Sequence, residues 1–361
     1  MMIKIGIIGC GGIAFGKHLP NLKLLDDVDL VAFCDLDIER ATKAKDEYGT
    51  SNARVYTDYL DLLSEPLDVV HVLTPNNTHA TITIAALDHK KHVMCEKPMA
   101  KYASEAREMI AAAKRNDKKL TVGYQNRFRS DSMFLKKIAQ ENQLGHIYLG
   151  KAKAIRRRAV PTWGVFLDEE AQGGGPLIDI GTHALDLTLW TMNNYKPKYA
   201  VGTTYHELSQ TPNTANAWGS WDPAQFTVED SAFGFVVMEN GATIILESSW
   251  ALNTLDVGEA KTSLYGTKMG ADMEQGLRLN GEEHGALYQK NIDFEIGGVD
   301  FYDSKGTEPG YLEARAWIDA ITMDTPPVVD PYEALIVTEI LEAIYTSAST
   351  GKPVYFEEET Q

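Results

Sequence analysis

Three cysteines in 361 residues, none in a Cys-x-x-Cys spacing, are too few for a disulfide framework or a cysteine-held metal. Cys10, Cys34 and Cys95 therefore read as reduced thiols, and the expected location is cytoplasmic. No apolar run approaches the roughly 18 residues of a membrane span. The apolar stretch after Lys4 runs into glycines and reads as a strand and turn, not a leader. Basic residues are also short: 34 Lys and Arg stand against 51 Asp and Glu, a net charge of −17. A field of that sign repels nucleic acid and anionic membrane, so neither is expected as a partner. No internal repeat is present, and the histidines and acids lack zinc-motif spacing, so no metal is expected.

What is present has the length of two domains. Short apolar strands at 3–8, 30–34, 68–73, 92–95 and 120–123 alternate with helices, which implies a doubly wound parallel sheet of Rossmann type over residues 1–125. After a helix over 132–143 the pattern becomes period-two: 147–155, 199–205, 231–238, 243–249 and 260–265. Residues 126–307 are thus expected to form an α/β domain with an open, mainly antiparallel sheet. Segment 209–225, carrying Trp218 and Trp221, reads as a surface insertion shaping a pocket or an oligomer contact. Two late helices, about 308–323 and 331–349, precede an acidic tail at 357–359.

Gly9-Cys10-Gly11-Gly12-Ile13-Ala14 follows the first strand and opens a helix. Gly9 suits the tight turn, Gly11 lets backbone approach a pyrophosphate, and Ala14 allows close helix–strand packing. The helix N-terminus offers N–H groups to phosphate, which reconciles an anionic ligand with an acidic protein. Asp35 ends the second strand, where a carboxylate accepts from ribose hydroxyls and repels a 2′-phosphate. NAD is the expected cofactor; Arg40, one turn into the next helix, keeps NADP open.

Glu96-Lys97-Pro98 follows a strand at the carboxyl edge of the sheet, where ligands bind. A lysine there suits proton handling at a hydroxyl losing hydride, if its pKa falls toward the working pH. Asp179 and His183 stand four apart, on one face of an expected helix whose other face carries Ile180, Ala184 and Leu187. His183 is the candidate proton acceptor and Asp179 the group that orients substrate.

Together the glycine turn, Thr74-Pro75-Asn76 with His79, Glu96-Lys97-Pro98 and the run from Gly173-Gly174-Gly175 through Asp179 to His183 resemble the glucose–fructose oxidoreductase/inositol dehydrogenase (Gfo/Idh/MocA) family. The resemblance spans nearly the whole chain. It implies late helices (about 308–361) returning to the Rossmann domain, a cis Lys97–Pro98 bond, and a homodimer or homotetramer through the C-terminal sheet. It further implies that Thr74, Pro75, Asn76, His79, Glu96, Lys97 and Asn126 line the cofactor, with Arg127 bordering substrate. The implied substrate is a sugar, cyclitol or related polyol oxidised at a secondary hydroxyl. An NAD-dependent glycoside hydrolase and a non-catalytic NAD-binding sensor are the alternatives. Arg156-Arg157-Arg158 ends a strand, where alternation would send Arg156 and Arg158 to one face and Arg157 to the other. Arg156 and Trp163 are candidates for substrate contact, Trp163 by stacking on a sugar ring.

Overall fold

The computed structural model describes residues 2–212, 214–294 and 308–356; the domain boundary at 307 and the acidic tail lie outside them. The described chain forms two compact units, one of residues up to Phe128 with a return running to Leu335, the other from Arg129 with the chain from Ile336 onward.

The first unit alternates β1 (Ile3–Ile8), α1 (Leu19–Lys23), β2 (Val28–Cys34), α2 (Ile38–Tyr48), β3 (Arg54–Tyr56), α3 (Tyr59–Leu63), β4 (Val69–Val72), α4 (His79–Asp88), β5 (His92–Cys95), α5 (Ala103–Asn116) and β6 (Leu120–Val122). Its six strands pair in parallel in the order β3-β2-β1-β4-β5-β6. Because helices cover parallel strands, β1 is buried at Ile3, Ile5, Ile7 and Ile8 rather than alternating in and out. A single π-turn, Ala14–His18, leads into α1 and reaches the sheet through Ala14, Leu19 and Leu22.

The second unit contains α6 (Ser130–Gln140), β7 (Ile147–Ile155), α7 (Glu169–Gln172), α8 (Thr182–Met192), β8 (Pro197–Tyr205), β9 (Ser231–Met238), β10 (Thr243–Ser249), β11 (Gly258–Gly266), β12 (Met269–Asp272), β13 (Arg278–Glu283) and β14 (Ala286–Asn291). After the undescribed segment come α9 (Pro309–Thr322), α10 (Pro331–Thr350) and β15 (Val354–Tyr355). The nine strands order as β14-β13-β12-β11-β7-β10-β9-β8-β15, antiparallel except for β7 beside β10. Alternation works here as the pattern predicts: β9 buries Ala232, Val236 and Met238 on one face and leaves Phe233, Phe235 and Val237 on the other. Gly150 of β7 makes room for α8, since a Cβ there would stand 2.8 Å from Met192 Sδ.

The late helices divide between the units. α9 places Ala314, Trp317 and Ile318 in the core of the first. From Ile336, α10 belongs to the second unit, where Ile344 lies over Gly202 of β8 and Gly234 of β9. Two glycines in adjacent strands leave a groove that a helix side chain fills, a long-range fit no periodicity reveals.

Candidate active site

In the glycine turn, Gly9 adopts φ +93°, and a Cβ there would meet the Leu73 carbonyl oxygen at 2.6 Å. By contrast, a Cβ at Gly11 or Gly12 would meet no protein atom within 4 Å, so backbone N–H groups line open space, as a pyrophosphate cradle requires. Asp35 ties this turn together. Its Oδ2 accepts from the Cys10 N–H at 2.8 Å and its Oδ1 from the Asp37 N–H at 2.9 Å, with spare acceptor capacity on the half-buried carboxylate. Arg40 is 61% exposed and its Nε stands 3.3 Å from Asp37, the residue capping α2. The cradle therefore fits a dinucleotide with a free 2′-hydroxyl. Ile13, half exposed, and buried Ala14 complete the turn.

The Lys97 loop is held from both sides. The Lys97–Pro98 bond is cis, and the Lys97 N–H donates to Glu96 Oε2 at 2.9 Å. His79 sets Nδ1 2.8 Å from the Pro98 carbonyl and Nε2 2.8 Å from the Thr74 carbonyl, so one ring pins the Thr74–Pro75–Asn76 turn to the lysine loop. That makes His79 a brace in the first unit, its ring lodged between two main-chain carbonyls. Asn76 is buried in the same turn, while Thr74 is half-buried and Pro75 exposed.

Glu96 departs from the sequence reading. Its carboxylate turns inward, where Gly123 leaves space for it: a Cβ there would meet Oε1 at 2.9 Å. Oε1 meets Lys17 Nζ at 2.5 Å and His18 Nε2 at 2.8 Å. Lys17 also contacts Glu313 of α9 at 3.0 Å, and His18 Nδ1 stands 3.2 Å from His71 Nδ1. Burial raises the Glu96 carboxyl, but the Lys17 ammonium and the His18 hydrogen bond outweigh it and hold the group well below the usual range. Burial, helped by Glu96 and opposed by Lys17, pushes Glu313 up to about 7, and burial with the Lys17 charge takes His18 down to about 4. A neutral His18 then donates from Nε2 to Glu96 and accepts at Nδ1 from His71. Sequence reasoning missed this cluster; its faint signal is a Lys-His pair inside an otherwise apolar helix.

Arg127 likewise turns inward. With no exposed side-chain surface, its Nη1 bonds Glu333 at 2.5 Å and the Val328 carbonyl at 3.2 Å, so it locks the α10 start to the first unit instead of meeting substrate. Asn126 beside it is half-buried.

In the second unit, Asp179 and His183 do not share one α-helix. Leu177–Gly181 is a π-turn, and α8 begins only at Thr182. Nor is α8 amphipathic: every residue from Thr182 to Thr191 is buried, Asp186 included. The π-turn rotates Asp179 off the ideal four-residue stack. Its Oδ2 accepts from Trp250 Nε1 at 3.0 Å, whereas His183 is 7% exposed. Glu229 anchors the preceding loop. Its Oε2 accepts from the Gly175 N–H at 2.8 Å; its Oε1 accepts from the Leu177 N–H at 3.1 Å and from the Tyr345 hydroxyl at 2.9 Å. Burial pushes Glu229 up to about 7 against these three donors. Nothing local in the sequence sets it apart, since Asp230 stands directly beside it.

β7 stops at Ile155, so strand alternation does not govern the three arginines. Arg156 forks onto Glu259 at 2.7 and 2.8 Å, with its guanidinium 5.2 Å from the Trp218 ring centroid. Arg158 bonds Asn253 at 2.6 Å. Trp163, 52% exposed, meets Trp218 edge-on at 5.0 Å and Phe166 at 5.9 Å. Among the described residues no cluster of His, Cys, Asp and Glu suits a metal ion.

Residues 3–124 match the oxidoreductase family with an NAD-binding Rossmann fold, and 133–271 match the GFO/IDH/MocA C-terminal domain. D-glucoside 3-dehydrogenase of Escherichia coli K12 is 34% identical over 356 residues, 98% of this chain and 97% of that one. The chain belongs to the Gfo/Idh/MocA oxidoreductase family. Aldose–aldose oxidoreductase from Caulobacter crescentus shares the fold at a TM-score of 0.80 and 23% identity, covering 99% of this chain and 100% of its own. Levoglucosan dehydrogenase, solved with NADH and levoglucosan, superposes at 0.83 with 19% identity over 98% and 99%. As a member of that family the chain is an NAD-dependent oxidoreductase. Among the described residues no helix is long and apolar enough to cross a membrane.

Proposed function

We propose that this family member removes hydride from a secondary hydroxyl of a sugar, with a glycoside as the best-supported substrate and cyclitols as the broader class. The observation that carries this reading is the pinned lysine loop: Glu96 and His79 fix the backbone on either side of Lys97, at the carboxyl end of β5. The D-glucoside relative, similar along the full chain, supports the sugar.

NAD+, held by the Gly9–Ala14 turn and Asp35, would supply the hydride acceptor for the carbinol carbon. Lys97 donates a hydrogen bond to the reacting oxygen and stabilises the developing alkoxide. His183 takes the hydroxyl proton, and Asp179, steadied by Trp250, orients the neighbouring hydroxyls. Lys97 belongs to the first unit, and Asp179 and His183 to the second. We further propose that the face of the second sheet bearing Phe233, Phe235 and Ile245 pairs subunits into a homo-oligomer. The three buried thiols suit a reducing cytoplasm.

Replacing Lys97 by Ala is expected to lower turnover about 10²- to 10⁴-fold. NAD+ affinity, followed by protein fluorescence, should stay within a few-fold. A variant that turns over glucosides at the parent rate would refute the mechanism. NADH accumulation with a panel of glycosides, aldoses and cyclitols tests the substrate class. Turnover without net NADH would point to the hydrolase instead.

A further inference from the structure

The insertion between β8 and β9 is an elaborate piece of chain for a surface loop. Asn216 takes the Val160 N–H at 2.8 Å and donates to the Val160 and Gly219 carbonyls at 2.9 and 2.8 Å. The Ala217 N–H reaches the Arg158 carbonyl at 3.1 Å, and the Thr162 hydroxyl donates to the Trp218 carbonyl at 2.5 Å. Its two tryptophans divide the labour. Trp221 is buried, donating to the Ser209 carbonyl at 2.9 Å and packing on Phe226, and so forms the loop's root. Trp218 is 44% exposed and stands edge-on to the half-exposed Trp163 at an interplanar angle of 79°.

From that pair a row of rings leads inward. Trp163 touches Phe166, Phe166 meets Trp250 at 6.4 Å, and Trp250 holds Asp179. Arg156, clamped by Glu259, backs the Trp218 ring and fixes its plane. Water-facing indoles held this rigidly are preorganised to receive an apolar ring face, since little side-chain freedom is left to lose. Aromatic faces take the C–H faces of pyranose rings or another aromatic ring.

We propose that Trp163 and Trp218 form a second subsite for the ring-bearing aglycone of a glycoside whose sugar is oriented by Asp179. This rests on the sugar-oxidising reading above and narrows it: the preferred substrates carry a second ring. The free monosaccharide fills only the Asp179 end and leaves the indole pair unused.

The test compares glucose, methyl β-glucoside and phenyl β-glucoside on the full chain with NAD+. The parent is expected to favour phenyl β-glucoside over glucose in kcat/KM. In Trp218→Ala that preference falls about tenfold, mainly through KM, and Trp218→Phe recovers most of it. Quenching of indole fluorescence by phenyl β-glucoside is expected in the parent and lost in Trp218→Ala. This binding readout stands even if no sugar reduces NAD+, which would sink the sugar-oxidising reading alone. An unchanged preference, or equal losses for glucose and phenyl β-glucoside, would overturn the subsite. A change of oligomeric mass in Trp218→Ala would overturn it too, by making the indole pair a subunit contact.

Discussion

Glu229 is the residue whose removal has the most calculable consequence. It is 3% exposed and receives two backbone N–H groups and a tyrosine hydroxyl, all from groups packed around the triple-glycine loop. Glu229→Ala leaves the Gly175 and Leu177 N–H groups buried without an acceptor, each costing about 1–3 kcal/mol. The backbone cannot close the gap inexpensively, because Gly175 already lies so near the segment before β9 that a Cβ on it would stand 2.2 Å from the Glu229 carbonyl oxygen. The expected loss is about 2–6 kcal/mol, a large part of the roughly 5–15 kcal/mol that holds a typical domain. Glu229→Gln keeps one acceptor oxygen but turns an NH₂ toward a donor, for about 1–3 kcal/mol.

The pH dependence is a sharper test of the same site. Burial raises Glu229 from 4.5 to about 7, so between those values the folded chain holds a proton that the unfolded chain has released. The stability contributed by the proton is full below 4.5 and is lost as pH rises through 7. Gln cannot titrate, so the parent's advantage over Glu229→Gln should shrink by up to about 3 kcal/mol between pH 5 and pH 8. Urea denaturation followed by tryptophan fluorescence at the two pH values measures this. A pH-independent difference, or an Ala variant within about 1 kcal/mol of the parent, would refute the reasoning.

Three other perturbations follow from local geometry. Gly9→Ala puts a Cβ against the Leu73 carbonyl at a positive φ, so NAD+ affinity should fall at least about tenfold in a titration; parent-like binding would contradict the turn geometry. Asp35→Ser removes both the bar to a 2′-phosphate and the acceptor for Cys10, so the ratio of NAD+ to NADP+ turnover should fall while NAD+ itself binds more weakly. An unchanged ratio would assign selectivity to another group. Ile344→Ala empties the groove over Gly202 and Gly234 and should cost about 2–5 kcal/mol in urea melts, with a loss under about 1 kcal/mol showing that the helix is not seated there.

Much of the architecture was legible because burial imposes a period on the residues that fold. The β7 boundaries, 147–155, were plain from alternation, and the Rossmann strands from short apolar runs ending in turn residues. β13 and β14 were not, because Arg278–Glu283 and Ala286–Asn291 are polar edge ribbons with little buried surface to mark them. In the candidate site, local motifs singled out Gly9, Asp35 and the Lys97 loop, whose cis bond was implied only by the family resemblance. Residues whose partners lie far along the chain were misread or missed: Glu96 faces Lys17, Arg127 faces Glu333, and Glu313 joins from α9. The sequence spacing set Asp179 and His183 on one α-helix, but the π-turn between them was not legible, since the five residues from Leu177 to Gly181 do not distinguish it from an α-turn.

The strand order of the second sheet bears on how this protein is made. β7 is flanked by β10 in parallel and β11 in antiparallel pairing, both about a hundred residues downstream. The middle of the sheet therefore cannot be completed until synthesis has passed residue 266; β7 has two unpaired edges until β10 is made and one until β11 follows. Such distant pairing makes for slow folding, and nascent chains are open to association with one another. A chain ending before β11 should accumulate as insoluble protein, even though every residue from 1 to 128 needed by the first unit's main body is already present.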